Sequence, residues 1–482
     1  MHKFPNPANS KQERKVKRML TGKAEENISL MKQKLNCGKN FDIVYRTINI
    51  NSRLSALFFV DGFAKDEIIE KLMEYFYSLN KEDDFADVHT FSKNCLPYFE
   101  VSLEKDSDKI VTQVLSGVLA LFIDGFEAAV LIDARTYPQR DTSEPEKDKT
   151  LRGSKDGFVE TLVFNTALIR RRIRSRDLCC EHMSVGKLSK TDLSICYLSG
   201  KADEKLLRNI RKKLSECEVE ALTMNQESVA EILIKNKWYN PLPKFKYTER
   251  PDTASAQILE GDVVILVDNS PSAMILPVSI FDIMEDANDY YLPPITGTYL
   301  RLSRLLITFV IVFLTPTWLM LMNDPLLLPN WATFLLLDVE LNVPLILQLL
   351  IMEVAIDGLK LAALNTPNML TTAFSLLGAI ILGDFAVQSG WFVPQAMLYM
   401  AVVAIGNYTQ PSYEMGYALK FFRIILLFLV QFLGWPGLVC GTVLILLILI
   451  FNRTPGGKGY LYPLIPFNGK ELKRKIIRQK LM

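Results

Sequence analysis

The chain has 482 residues, 49% of them hydrophobic and 22% charged, with a formal net charge of +2 and three histidines. Such a length holds about three structural units at ~150 residues each, and near-neutrality argues against a nucleic-acid binder, which carries a basic surplus. The mean hydropathy of +0.15 conceals a division. Residues 1–300 are charge-rich, whereas 302–452 hold eleven charged residues among long runs of Leu, Ile, Val and Phe, which excludes a purely soluble protein.

Residues 1–40 carry ten Lys and Arg against three Glu with little apolar periodicity, and predict a basic flexible arm. The N-terminus has no apolar core, so no signal peptide is expected, and whatever precedes the first membrane segment should stay on the cytoplasmic side. From Phe41 the pattern is that of an α/β subdomain over 41–135. FDIVYRTINI and RLSALFFV read as strands, AKDEIIEKLMEYFYSL as a helix, and GVLALFIDGFEAAVLIDAR as two strands turning at Asp124-Gly125. A polar linker is expected over 136–155. A second α/β subdomain, 156–280, opens with DGFVETLVFNTALIRRRIRS, read as a helix because Phe158, Leu162, Ala167 and Ile169 recur at roughly helical spacing.

The second subdomain repeats the first. SICYLSGKADEKLLRNI (194–210) lines up with ALFFVDGFAKDEIIEKL (56–72) at an offset of 138, and LEGDVVILVDNSPSAMIL (259–276) with LSGVLALFIDGFEAAVLI (115–132) at 144. Residues 281–300 form a polar and aromatic connector, where Tyr290, Tyr291 and Tyr299 suit a half-wet membrane boundary.

A membrane-spanning helix needs ~20 largely apolar residues. Segments 305–322, 341–364, 369–390 and 391–409 qualify, and 418–452 is long enough to be split in two at Gly434-Trp435-Pro436-Gly437. LLLPNWATFLLL (326–337) is too short to span. Arg301 and Arg304 at the first mouth and a basic cytoplasmic tail over 453–482 place both ends inside, which requires an even number of crossings. The expected architecture is therefore two similar α/β subdomains followed by an all-α transmembrane domain, 301–452, of about six (four to six) helices.

Charge inside these helices is the informative feature. Glu353, Asp357 and Lys360 share one helical face, and Asp384 lies in the third segment. Each would cost ~2.5–3.5 kcal/mol at the centre of a lipid-facing helix. The functional reading makes all four the lining of an ion path. The bland one pairs Asp357 with Lys360 and ties Glu353 to a neighbouring helix.

No P-loop, GxSxG or HExxH is present, and His2, His89 and His182 are far apart, so no catalytic constellation, metal site or cofactor is expected. The seven cysteines form no CxxC pair and read as reduced thiols. The Arg170-Arg171-Arg172 run suits a helix C-terminus; alternatively it docks subunits by holding carboxylates such as Glu144, Glu146 or Glu160 bidentately.

The stretch around that run carries a resemblance. EPEKDKTLRGSKDGFVETLVFNTALIRRRIRS, with its EP, RG, DGF[VT]E and N-x-x-LIRRRI, resembles the signature of the A-subunit class of GerA-type spore germination proteins. ILEGDVVILVDNSP, ANDYY, FVPQAMLYMAVVAIGNYTQPSYE and YPLIPFN are similar to that family too, and the likeness runs from about residue 42 to 468. It implies a multi-pass protein of the spore inner membrane with its soluble region facing the core, and assembly into a homo-oligomeric channel for monovalent cations. It also implies membrane lipid and either a second small membrane protein or germination receptor subunits as partners, in a branch that promotes or amplifies germination. Arg152, Gly153, Gly157, Phe158, Glu160, Asn165, Arg170, Arg171 and Arg172 become candidates for inter-subunit coupling. Where many members carry an E-x-x-R-E-type face, this chain has MEVAIDGLK, which keeps the acids and moves the base. The rival expectation is a non-conducting scaffold that clusters receptors or stabilises another channel.

Overall fold

The computed structural model describes residues 19–63, 66–79, 85–96, 100–134, 150, 152–234, 239–328, 330–337, 341–365, 386–457 and 459–478. The chain divides into two compact units, one of residues 1–235 with 247–277, the other of 236–246 with 278–482.

The first unit holds two five-stranded sheets of the same design. In chain order the first repeat is α1 (Ala24–Lys34), β1 (Ile43–Ile50), β2 (Arg53–Val60), α2 (Asp66–Ser78), α3 (Val88–Asn94), β3 (Val101–Glu104), α4 (Ser107–Leu115), β4 (Leu119–Ile123) and β5 (Ala129–Ile132). The second is α5 (Leu162–Arg172), β6 (Leu178–Val185), β7 (Thr191–Leu198), α6 (Glu204–Ser215), α7 (Gln226–Leu233), β8 (Lys246–Thr248), α8 (Pro251–Glu260), β9 (Val263–Val267) and β10 (Ala273–Leu276). The strand orders, β1-β2-β4-β5-β3 and β6-β7-β9-β10-β8, are equivalent.

Alternation builds the layers. Ala56, Phe58, Val60, Ala120 and Phe122 face α1 and α4, while Leu57, Leu119, Leu121 and Ile123 face α2 and α3. With both faces covered, β4 and β9 are buried throughout, which is why they read as continuous apolar runs. The β1–β2 hairpin closes between Ile50 and Arg53 through Asn51 and Ser52, both at positive φ, as a two-residue turn matched to strand twist requires.

The repeat extends further than its sequence match. Asp124 Oδ1 accepts from the Ala24 amide at the start of α1 (2.9 Å), and Asp268 Oδ1 accepts from Leu162 at the start of α5 (3.1 Å). Asn27 bonds both backbone groups of Thr21, and Asn165 bonds both of Val159. The Gly125 amide donates to Gly22 and the Asn269 amide to Glu160, each at 2.8 Å.

Two expectations are corrected here. The arm over 1–40 is not flexible throughout, because Ala24, Ile28, Met31 and Leu35 fall on one face and are buried against the first sheet. The helix after the linker starts at Leu162; Phe158 precedes it outside any helix or strand, buried, with its amide on the Glu249 carbonyl at 2.8 Å.

The second unit is helical: α9 (Pro294–Asn323), α10 (Leu345–Asn365), α11 (Pro394–Tyr408), α12 (Tyr413–Leu433), α13 (Trp435–Phe451) and α14 (Gly469–Ile476). Among the described residues, α9 and α12 are long and apolar enough to cross a membrane, and α13 is a shorter apolar helix. The expected crossing at 341–364 is a helix with three charges, that at 391–409 is the 15-residue α11, and most of 369–390 lies outside the described residues. The split of 418–452 falls at Gly434, whose φ of 64° ends α12 and starts α13. A side chain at Gly437 would strike the Leu429 carbonyl, so the close turn requires glycine there. Residues 325–327 and 330–335 are 3-10 turns.

The basic tail folds back on the start of α9. Arg301 donates to the Lys475 carbonyl at 3.0 Å and to Glu285 at 2.6 Å; Arg304 holds Asp289 at 2.9 and 3.2 Å; Lys475 pairs with Asp282 at 2.5 Å.

Candidate functional site

Leu345, Leu349 and Met352 fall on one face of α10 and pack with Trp318, Leu319, Met400, Leu427 and Val430. That inward face continues directly into Glu353, which is 3% exposed. Burial at that depth demands a counter-charge, and α12 supplies it. Arg423 Nε donates to Glu353 Oε1 at 2.6 Å, and its Nη1 donates to the Ile311 carbonyl of α9 at 3.0 Å. One turn along α10, Asp357 pairs with Lys420, whose Nζ is also 3.8 Å from Glu353 Oε2. The two helices run antiparallel, so the acids spaced i, i+4 meet the bases spaced i, i+3 in reverse order.

Asp357 therefore does not pair with Lys360. Among the described residues Lys360 has no carboxylate partner. Its Nζ lies over the rings of Tyr408 (5.2 Å to the centroid) and Tyr417 (5.6 Å). The Asn407 amide, turned so that its nitrogen donates to the Gly416 carbonyl, presents its oxygen to Lys360 at 3.2 Å. Asp384 lies outside the described residues. Sequence reasoning missed Lys420 and Arg423, although a basic pair on one face of an otherwise apolar helix was the available signal.

The signature segment is mostly spent inside the chain. Arg170 is fully buried; it donates to Asp42 through Nε (3.0 Å) and Nη2 (3.3 Å), and to the carbonyls of Ser175 (3.3 Å) and Leu178 (3.2 Å). Burial alone would lower its pKa, but the Asp42 carboxylate together with the neighbouring Cys180 and Cys196 outweighs that and raises it. The same seam joins the two repeats, for the Phe41 amide donates to the Cys180 carbonyl and the Cys180 amide to Asn40. Arg172 pairs with Asp156 at 2.6 Å and reaches Ser154 at 3.0 Å. Gly157, Phe158 and Asn165 are buried. A docking role for Arg170 is thus corrected, because its side chain is committed to Asp42 of its own chain; Glu144 and Glu146 lie outside the described residues. Arg152, Gly153, Glu160 and Arg171 remain on the surface. Reasoning from sequence also missed Arg250, 1% exposed, which donates to Thr150 Oγ1, the Ser154 carbonyl and Asp252, and so fixes the start of the segment.

Comparison with known proteins decides the family. The family model described as Bacillus/Clostridium GerA spore germination protein matches residues 30–482. The chain belongs to the GerA spore germination family. It is 38% identical over 457 residues to stage V sporulation protein AF of Bacillus subtilis, covering 94% of this chain and 92% of that protein. Spore germination protein KA of the same organism is 26% identical over 477 residues, with 97% and 86% covered. Among solved structures, the N-terminal domain of the A subunit of the Bacillus megaterium spore germinant receptor GerK3 aligns with a TM-score of 0.42 at 28% identity, over 54% of this chain and 96% of that one. Membership in this family and the apolar helices together indicate association with a membrane.

Proposed function

We propose that this GerA-family chain is a subunit of an oligomeric conduit for monovalent cations in the spore inner membrane, with its α/β region facing the core, and that it promotes or amplifies germination. The supporting observation is the charged layer between α10 and α12. Apolar side chains would hold two membrane helices at least as well as buried ion pairs, so charge retained at that depth points to a use for charge. Membrane lipid, further copies of this chain, and a second small membrane protein or germination receptor subunits are its partners. The last of these is supported by relatives named as spore germination proteins.

Coupling between subunits falls to the surface part of the signature, Arg152, Gly153, Glu160 and Arg171. Arg171→Glu should then weaken the oligomer on sizing while membrane insertion persists; an oligomer unchanged in size would remove that role.

One observation favours the scaffold reading. Both Glu353 and Asp357 are neutralised within the chain, as helix-joining pairs would be. Potassium efflux from loaded liposomes separates the two readings. A conduit gives efflux that Glu353→Gln and Asp357→Asn change. A scaffold gives none, with or without receptor subunits added.

A further inference from the structure

Among the described residues five charged groups meet in the layer, and four of them pair: Glu353 with Arg423 and Asp357 with Lys420. The fifth, Lys360, is a cation resting on aromatic faces and an amide oxygen. Tyr408 and Tyr417 present their rings to its ammonium at 5.2 and 5.6 Å. Tyr413 braces Tyr417 edge-on, with centroids 5.2 Å apart at 75° and the two hydroxyls at 3.4 Å. Asn407 adds its oxygen at 3.2 Å while its nitrogen is anchored on Gly416.

This is the chemistry that recognises a weakly hydrated monovalent cation. Ring faces attract a cation through their quadrupole, most strongly when it sheds water readily, and neutral oxygens replace part of its hydration shell without trapping it as a carboxylate would. An ammonium group has about the size and charge of a potassium or ammonium ion. We infer that the Tyr408–Tyr417–Asn407 cage is a binding site for such an ion, which Lys360 fills as a tethered cation, so that the site opens when Lys360 withdraws. Lys360 follows Asp357 by three residues on α10, and Asp357 is held by Lys420. Any shift of α10 against α12 therefore disturbs the pair and the cage together. The inference deepens the conduit reading by naming the ion class and the resident blocker, and its purpose rests on that reading.

Its test does not require conduction. The full-length protein in detergent is melted in potassium, ammonium or lithium chloride at equal ionic strength, lithium being the monovalent cation that holds its water most tightly. Lys360→Met empties the cage, so potassium and ammonium should raise its Tm over lithium by about 2–4 °C when present well above their Kd. The unsubstituted protein, whose cage is filled, should show no such difference, and Lys360→Met/Tyr417→Leu should lose it. Lys360→Gln serves the same purpose should the Met variant not fold. An equal response with Lys360 in place, a response surviving Tyr417→Leu, or none in either folded Lys360 variant would overturn the site. Efflux without the ion-specific shift removes the cage and keeps the conduit; the shift without efflux keeps the cage and removes the conduit.

Discussion

Two buried arginines show how differently the same side chain is used in the two units. Arg170 meets Asp42 twice and two further carbonyls, at a seam where the backbone of one repeat bonds that of the next. Its donors are committed in fixed directions, which makes it a rivet. Arg423 meets Glu353 and the Ile311 carbonyl, and beside it Lys420 holds Asp357 at a half-buried position, with Lys360 left to aromatic rings. That layer has partners that can be exchanged. A fully satisfied network specifies one structure, whereas one containing an unpaired cation can hold more than one arrangement.

Substitution can break this contrast. The largest effect is expected from Arg170→Met, which leaves Asp42 charged and buried and should destabilise the first unit by about 3–5 kcal/mol; denaturant melts followed by far-UV signal would measure it. Asp42→Leu/Arg170→Met should recover most of the loss. Glu353→Leu strands Arg423 among apolar helices and should cost about 2.5–3.5 kcal/mol of helix insertion, visible as a reduced membrane-inserted fraction. Asn27→Ala and Asn165→Ala each remove a buried amide that makes two bonds to backbone, and should cost about 1–3 kcal/mol apiece. Closely similar values for the two would sharpen the equivalence of the repeats.

A smaller effect concerns pH. Burial lowers the pKa of Lys244 to about 8 while its ammonium donates to Asn452 and the Arg453 carbonyl. The unfolded chain keeps this proton up to the ordinary lysine range, so between pH 8 and about 10 the unfolded state binds more protons and stability should rise with pH. Lys244→Met should flatten that rise in Tm against pH. The smallest change in stability is expected from Arg171→Glu, within about 0.5 kcal/mol, because the residue is on the surface.

Much of the α/β fold was legible because buried strands and turns leave local marks. The apolar runs of β4 and β5 and the Asp124-Gly125 turn stood in the sequence, and the offsets of 138 and 144 announced the repeat. The packing of helix α1 on the sheet escaped notice because its lysines and glutamates masked four apolar positions, although its counterpart α5 lies 138 residues on. Phe158 looked helical by spacing, yet its place is fixed by Glu249, 91 positions away in an adjoining segment. The charged layer was half legible. Spacing shows which residues share a face, so Glu353, Asp357 and Lys360 could be grouped, but not that Lys420 and Arg423 would face them across 63 to 70 positions. Nor does spacing reveal which of three consecutive arginines is buried, since that depends on Asp42, 128 residues before it.

The charged layer as an ion path is tested most directly by potassium efflux from liposomes carrying equal amounts of folded, inserted protein, unsubstituted or with Glu353→Gln/Arg423→Gln. The double substitution keeps the helices joined by amides while removing one ion pair. Conduction through this layer requires efflux from the unsubstituted protein and a change of about tenfold or more in the variant, a change of at least ~1.4 kcal/mol in the barrier to ion passage. Equal efflux from both proteins would place the path elsewhere, and none from either, with receptor subunits present, would leave a scaffold.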